Sequence, residues 1–267
     1  MPGRFGLKEL LANRNNPNKI LTPLVDQFLL TNSLTDFTEE EIALATRLMT
    51  LWTKERDHDF HSPSSASACL RQQMLTYLDY KGSEVDDPYL KNIFDDGNWR
   101  HLRWHMIFVR MQRAGLLKVV KIEEKIKYQP WFLSGTPDDV LDIPSAEGIV
   151  RVVVDVKGAH DEKFNTIVST GQPVDGHEWQ LHGYMVGLRL GRGILFYENK
   201  NTQRYHELAV KRDPEIVREL RRRYKVLKQS RETNILPSHG CSMQAGDIVK
   251  KRCRQRLNCI RLTADGQ

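Results

Sequence analysis

Asp138, Asp155 and Lys157 are the residues of this sequence best placed by type and spacing to do chemistry. Asp138 stands near the end of one expected strand, and Asp155 and Lys157 lie two apart in the next. Side chains two apart in a strand share a face. A hairpin between the two strands sets Asp138 beside Asp155. Two carboxylates converging on one point bind a hard divalent cation, which prefers oxygen ligands. Such an ion polarises a phosphodiester and lowers the pKa of a bound water. A neighbouring lysine then orients that water or stabilises developing negative charge. The plain alternative is that Asp155 and Lys157 only pair with each other at a strand end. Their position at the end of an apolar strand favours the first reading, because charges in buried strands are costly unless paired or metal-bound.

The elements that must position these residues follow from periodicity. Residues 1–60 read as helical: Thr38-Glu-Glu-Glu41 is a capping box, followed by Ile42, Leu44, Leu48, Met49 and Trp52 at helical spacing. His58 to Ser67 reads as a loop whose last serines cap a helix through Cys69, Arg71 and Tyr77, and Lys81 to Pro88 as another loop. Tyr89 to Ala114 is expected as one long helix ended by Gly115. Phe94, Gly97, His101, Trp104, Phe108 and Met111 share one face of it. Glycine inside that face implies a close approach at Gly97.

The period then changes to that of strands, over Leu117 to Tyr128, Trp131 to Ile143 and the β-branched run Ile149 to Val156. A helix over His177 to Leu188, strands over Gly193–Tyr197 and Arg204–Val210, and a helix from Pro214 to about Ser230 complete the pattern. This order describes an α/β (α+β) fold with helices packed around a central mixed β-sheet. We divide it into an N-terminal helical segment (1–60), a core (61–230) and a basic, cysteine-containing C-terminal tail (231–267).

No run approaches the ~20 apolar residues of a membrane helix, and Met1 to Lys19 lacks a signal-peptide layout, so a soluble, cytoplasmic protein with no membrane partner is expected. Four cysteines are too few and too dispersed for a secreted disulfide scaffold. The net charge of +6 is uneven: Lys211 to Arg261 carries 15 Lys/Arg against five Asp/Glu, while the rest is mildly acidic. A basic tail beside an acidic site suits a polyanionic partner; a solvated helix face is the bland alternative.

Pro137-Asp138 followed by Asp155-Val156-Lys157 resembles the core motif of the PD-(D/E)xK nuclease superfamily. Gly135-Thr-Pro-Asp138 resembles the G-x-x-D variant of its RecB-like branch. Ser67-Ala-Cys69-Leu-Arg71, Gly97-Asn-Trp-Arg-His101 and Gln180-Leu-His-Gly-Tyr184 resemble three further elements of that branch, in the right order. The resemblance covers about residues 62–260 and implies a restriction-endonuclease-like core acting on DNA. By it, His101, Asp138, Asp155 and the backbone carbonyl of Val156 would hold Mg²⁺ or Mn²⁺, Lys157 would be the catalytic lysine, and Gln180 and Tyr184 would line the site. His105 is a conceivable partner for His101 but lies to one side of the apolar face.

The resemblance extends to the branch's iron–sulfur members, which place one cysteine before the core and three after it. Cys69 and then Cys241, Cys253 and Cys259 follow that order, which implies a 4Fe–4S cluster, with zinc or unligated thiols as alternatives. The five-residue gap before Cys259 matches the family, whereas the eleven residues between Cys241 and Cys253 exceed the usual two.

Arg71, Arg221, Arg222, Arg223, Lys251 and Arg252 are expected to contact DNA phosphates, and Trp99, Trp131 and Trp179 to stack on bases or pack in the core. The function expected is a metal-dependent exonuclease acting on DNA ends or single strands in recombination, repair or replication. The alternatives are a structure-specific endonuclease, a non-catalytic nucleic-acid-binding module of the same fold, and a zinc-dependent structural protein.

Overall fold

The computed structural model describes residues 16, 18–53, 60–80, 82, 88–146, 148–239 and 253–264. Its centre is the β-branched run foreseen above. Strand β5 (Gly148–Ala159) lies inside a five-stranded sheet with β1 (Lys118–Ile122), β4 (Asp139–Ser145), β6 (Arg192–Asn199) and β7 (Tyr205–Lys211). The order is β1-β4-β5-β6-β7. Only the β5–β6 pairing is parallel, so the sheet is mixed, as expected. β2 (Ile126–Tyr128) and β3 (Leu133–Gly135) form a separate ribbon.

The alternation of β5 assigns its two faces. Val152, Val154 and Val156 point into a core with Leu141, Ile143, Ile194 and Phe196. Val153 points the other way, into a core with Leu195 and Tyr197, and Asp155 and Lys157 follow it by period on that face. The first face is covered by α1 (Thr22–Thr31) and α4 (Pro88–Arg113), through Val25, Phe28, Trp104, Phe108 and Met111. The second is covered by α5 (Asp161–Thr170) and α6 (His177–Leu188), through Phe164, Ile167, Leu181 and Met185. A third cluster joins α3 (Leu70–Tyr77) to α7 (Pro214–Thr233) through Met74, Leu220, Tyr224 and Leu227. The last described helix, α8 (Arg256–Ala264), packs on α3. Among the described residues no helix is long and apolar enough to cross a membrane.

Local chemistry explains most boundaries. Thr38 caps α2 (Glu39–Met49) and Glu41 reaches back, the capping box read from sequence. Leu48 of that helix packs on Leu102 and Met106 of α4. Gly115, at φ +73°, follows α4 where a glycine stop was expected. Four details differ from expectation. Among the described residues a Cβ at Gly97 would meet nothing within 4 Å, so no close approach by them occurs there. The serines before α3 do not cap it: Cys69 is the N-cap residue and makes no side-chain cap, while Ser62 caps a short 3₁₀ turn. α5 and α8 were not foreseen. The expected loop from Lys81 to Pro88 lies almost wholly outside the described residues.

The N-terminal helices belong to the core. Leu21, Val25 and Phe28 are among its buried residues, each contributing roughly 2 kcal/mol of apolar burial. The start of α1 is held by Glu207 of β7. Its buried carboxylate accepts the main-chain N–H groups of Ile20 (2.7 Å), Leu21 (2.9 Å) and Thr22. A carboxylate at a helix N-terminus satisfies orphan donors and complements the helix dipole. Glu207→Ala should therefore lower unfolding stability by about 3 kcal/mol, and Glu207→Gln by about half of that, since charged acceptors bind N–H more strongly. Denaturant unfolding of the three proteins checks this order.

Candidate active site

Asp138 and Asp155 meet because β4 and β5 pair antiparallel with Asp139 opposite Val154, which sets the preceding residue, Asp138, across from Asp155. Both carboxylates are buried, at 6 % and 0 % exposure. Asp138 Oδ2 accepts the Val156 N–H at 2.6 Å, and its Oδ1 lies 3.3 Å from His101 Nδ1. His101 comes from the middle of α4, which is anchored to the sheet next door. There the buried Glu198 of β6 accepts from Arg100 Nε (3.2 Å), Trp104 Nε1 (2.5 Å) and Arg103.

Asp155 faces α6. Its Oδ2 lies 2.9 Å from Lys157 Nζ, and its Oδ1 accepts from Gln180 Nε2 at 3.4 Å. Gln180 is held at both ends of its amide. Its Oε1 accepts from Lys157 Nζ (3.1 Å), and its Nε2 also donates to the Tyr184 hydroxyl (3.3 Å). That hydroxyl donates onward to the Thr136 carbonyl at 3.1 Å. Gly135 is required beside it, since a Cβ there would lie 3.0 Å from the Tyr184 ring and 2.7 Å from Pro63. The pairing of Asp155 with Lys157, one of the two readings of that triplet, is thus present within a larger constellation.

Two residues that sequence reasoning did not place in the site join it. Glu123, just past β1, puts Oε1 3.2 Å from His105 Nε2 and 4.0 Å from His101 Nδ1. Its N–H donates to the Asp138 carbonyl at 2.9 Å, and its φ is +47°. His105, set aside as lying off the apolar face, is buried with Nδ1 2.9 Å from Asp139 Oδ2. The only signal available for Glu123 was an acidic pair directly after a strand.

The charges are mutually adjusted. Burial alone would raise the Asp138 pKa, but the His101 imidazolium and the Lys157 ammonium reverse this and bring it to about 2. Burial works to lower the pKa of His101, yet Asp138 and Glu123 bring it up to about 10. Burial likewise opposes charge on His105, which Asp139 and Glu123 carry up to about 10. Asp155 is different: burial pushes it up to about 6, against the pull of Lys157. Lys157 itself stays above its ordinary value, because Asp155 and Asp138 outweigh burial. This favours its ammonium form, which suits stabilising negative charge.

The donor set fits a hard divalent cation. Asp138 lies against His101, and the charges of Asp138 and Asp155 are near enough to act on each other. Asp155 Oδ2, close as it is to Lys157, has no well-angled hydrogen bond among the described residues. His101, Asp138 and Asp155 would hold the ion. Of Val156, the contact seen is its N–H on Asp138. A cleft of 1880 Å³ is lined in part by Glu123, Gly135, Thr136 and Tyr184, which neighbour this group.

No protein-family model matches the chain, and no curated protein matches it. Solved structures do. An alkaline exonuclease (LHK-Exo) from Laribacter hongkongensis is 13 % identical, with a TM-score of 0.47 over 74 % of this chain and 94 % of that one. LHK-Exo in complex with dAMP is 15 % identical, with a TM-score of 0.45 over the same shares. A phage related exonuclease from Haemophilus somnus 129PT is 16 % identical, with a TM-score of 0.41 over 64 % of this chain and 82 % of that one. Identities this low leave the chemistry of the site to be read from its own side chains.

The other expected residues are placed as follows. Arg221 and Arg222 are exposed on α7, with Arg222 paired to Glu219 at 2.5 Å. Two expected phosphate contacts are turned inward instead. Arg71 is buried and donates to the Pro237 carbonyl at 3.2 Å, and Arg223 donates to the carbonyls of Ala66 (2.9 Å) and Ala68. These guanidiniums fasten the start of α3, whose neighbouring carbonyls need donors. Trp131 stacks on Tyr224 and Trp179 lies under Arg223, whereas Trp99 is half exposed, edge-on to Trp52. Cys69 begins α3; Cys253 Sγ lies 3.6 Å from Gln72 Oε1 of that helix, and Cys259 Sγ 3.2 Å from His239 Nδ1. Cys241, Lys251 and Arg252 lie outside the described residues.

Because Asp155 must lose its proton to ligate a cation, divalent-ion affinity should weaken as the pH falls through about 6. Calorimetric titration of Mg²⁺ into metal-free protein on either side of that pH checks this; a flat affinity would remove Asp155 from the ligand set.

Proposed function

We propose that the protein is a divalent-metal-dependent DNA exonuclease of the RecB-like PD-(D/E)xK type. The observation that carries this reading is the meeting of Asp138, Asp155, Lys157 and Gln180 at one end of β4 and β5, with His101 closing the group from α4. A bound Mg²⁺ or Mn²⁺ supplies Lewis-acid polarisation of the phosphodiester and an acidified water. Asp138 and Asp155 supply the negative charge that holds such an ion, and the Val156 N–H fixes the Asp138 rotamer. Lys157 donates to the non-bridging oxygen on which charge grows as water adds and the 3′ or 5′ oxygen departs. Gln180 keeps Lys157 and Asp155 in register, and Tyr184, whose pKa burial pushes well above its ordinary value, remains a donor that locks Gln180.

The buried carboxylates suit a single strand or frayed end entering the cleft more than an intact duplex lying across the surface. Arg221 and Arg222, with Lys251 and Arg252, would hold phosphates without reading sequence. Asp155→Ala and Lys157→Ala should each reduce cleavage of end-labelled linear DNA by at least ~100-fold while leaving fold and DNA affinity in place. Released nucleotides from linear DNA with intact closed circles would support end-dependent action. Internal fragments would favour an endonuclease, and no cleavage by folded, metal-supplied protein would favour a binding module.

Cys69, Cys241, Cys253 and Cys259 are proposed as ligands of a 4Fe–4S cluster, with zinc as the alternative metal. The packing of the Cys253 segment on α3, which begins at Cys69, supports this reading. Anaerobically purified protein should then contain about four irons per chain. Zinc alone would favour the alternative, and neither metal would remove the cluster.

A further inference from the structure

His105 lies one helical turn from His101, yet its two nitrogens are committed differently. Nδ1 is 2.9 Å from Asp139 Oδ2, and Nε2 is turned the other way, toward Glu123. Glu123 Oε1 waits 3.2 Å beyond Nε2, and the same oxygen is 4.0 Å from His101 Nδ1. One ligand atom from each of His101, His105 and Glu123 lies within 4.8 Å of the others. A carboxylate behind a histidine is the arrangement that sets tautomer and basicity in metal-ligating imidazoles. Glu123 is held toward this point by a left-handed backbone, at φ +47°, and by its N–H bond to the Asp138 carbonyl. Left-handed conformations in non-glycine residues persist only where the surroundings dictate them, and they gather at functional sites.

We propose that His105, Glu123 and His101 form a second, nitrogen-rich cation site beside the two-carboxylate site, selective for a transition-metal ion such as Mn²⁺ over Mg²⁺. It rests on the active-site reading above in sharing His101, whose two distinct ring nitrogens can serve one ion each. Imidazole ligands favour borderline transition metals, whereas carboxylates alone suit Mg²⁺ and Ca²⁺. Metal–ligand bonds of about 2.1 Å place neighbouring ligand atoms roughly 3.0–3.4 Å apart. The His105–Glu123 separation already has this value, and His101 closes by up to about 1.5 Å to join it. An ion reaches the site through the cleft that Glu123 lines, past a His101 side chain 31 % exposed.

The test is the number of Mn²⁺ ions bound by the metal-free full-length chain, read by electron paramagnetic resonance of free and bound ion. Manganese avoids the thiolates, so the cysteines do not confuse the count. Wild type should bind two ions, and His105→Ala and Glu123→Gln one each. Asp155→Asn should lose the other ion and keep one that shows histidine-nitrogen coupling in pulsed spectra. Glu123→Gln, at the rim of the cluster, decides the matter if His105→Ala does not fold. A wild-type count of one, or a count of two unchanged by both substitutions, overturns the proposal. Cleavage surviving in Asp155→Asn would sink the active-site reading separately, while the counts at His105 and Glu123 still decide this one.

Discussion

The Asp138 carboxylate is the joint on which the rest of the structure depends. One oxygen takes the Val156 N–H, the other faces His101, and the residue's own carbonyl takes the Glu123 N–H. Three pieces of chain far apart in sequence are thereby tied to one buried negative group. Such a group is unaffordable alone in a protein interior, where an unpaired ion costs several kcal/mol. It demands a cation, and the imidazole of His101 and the ammonium of Lys157 stand where that demand is met.

This need shapes the elements around it. α4 has to cross the sheet with His101 in register, and the Arg100–Glu198 pair one residue earlier makes that register firm. Gly158 is part of the same fit, because a Cβ there would fall 2.5 Å from an Arg100 nitrogen. On the other face, Gln180 and Tyr184 come from a helix whose Gly183 and Gly187 allow close packing against Pro63 and Ile126. Most of the constellation is built on strands and helices, with Asp138 one residue before β4 and Glu123 one past β1, which is what holds polar groups to tenths of an ångström.

What was legible in the sequence was whatever local pattern controls. The β-branched run gave β5, the capping box gave the start of α2, and spacing two apart put Asp155 and Lys157 on one face. What was not legible depends on contacts distant in the chain. Glu123 enters the site through a left-handed turn and a bond to a residue in the next segment, neither of which has a local signature. Arg71 and Arg223 look like surface cations until the carbonyls they satisfy are brought beside them. α5 has two inward apolar residues, Phe164 and Ile167, too few for periodicity to announce it, although Gly171 at φ +66° marks its end. Gly97 shows the converse error, where a residue type suggested a constraint that the packing does not impose.

The bond between Glu207 and the start of α1 has a consequence for how the chain is made. The two partners are 186 residues apart along the sequence. A ribosome adding roughly 5–20 residues per second exposes α1 about ten seconds or more before β7 exists to receive it. During that interval the main-chain N–H groups that open α1 lack the carboxylate that accepts them. Synthesis therefore leaves the first described helix waiting for the last described strand, and the fastening of its N-terminus becomes a late event in the life of the nascent chain.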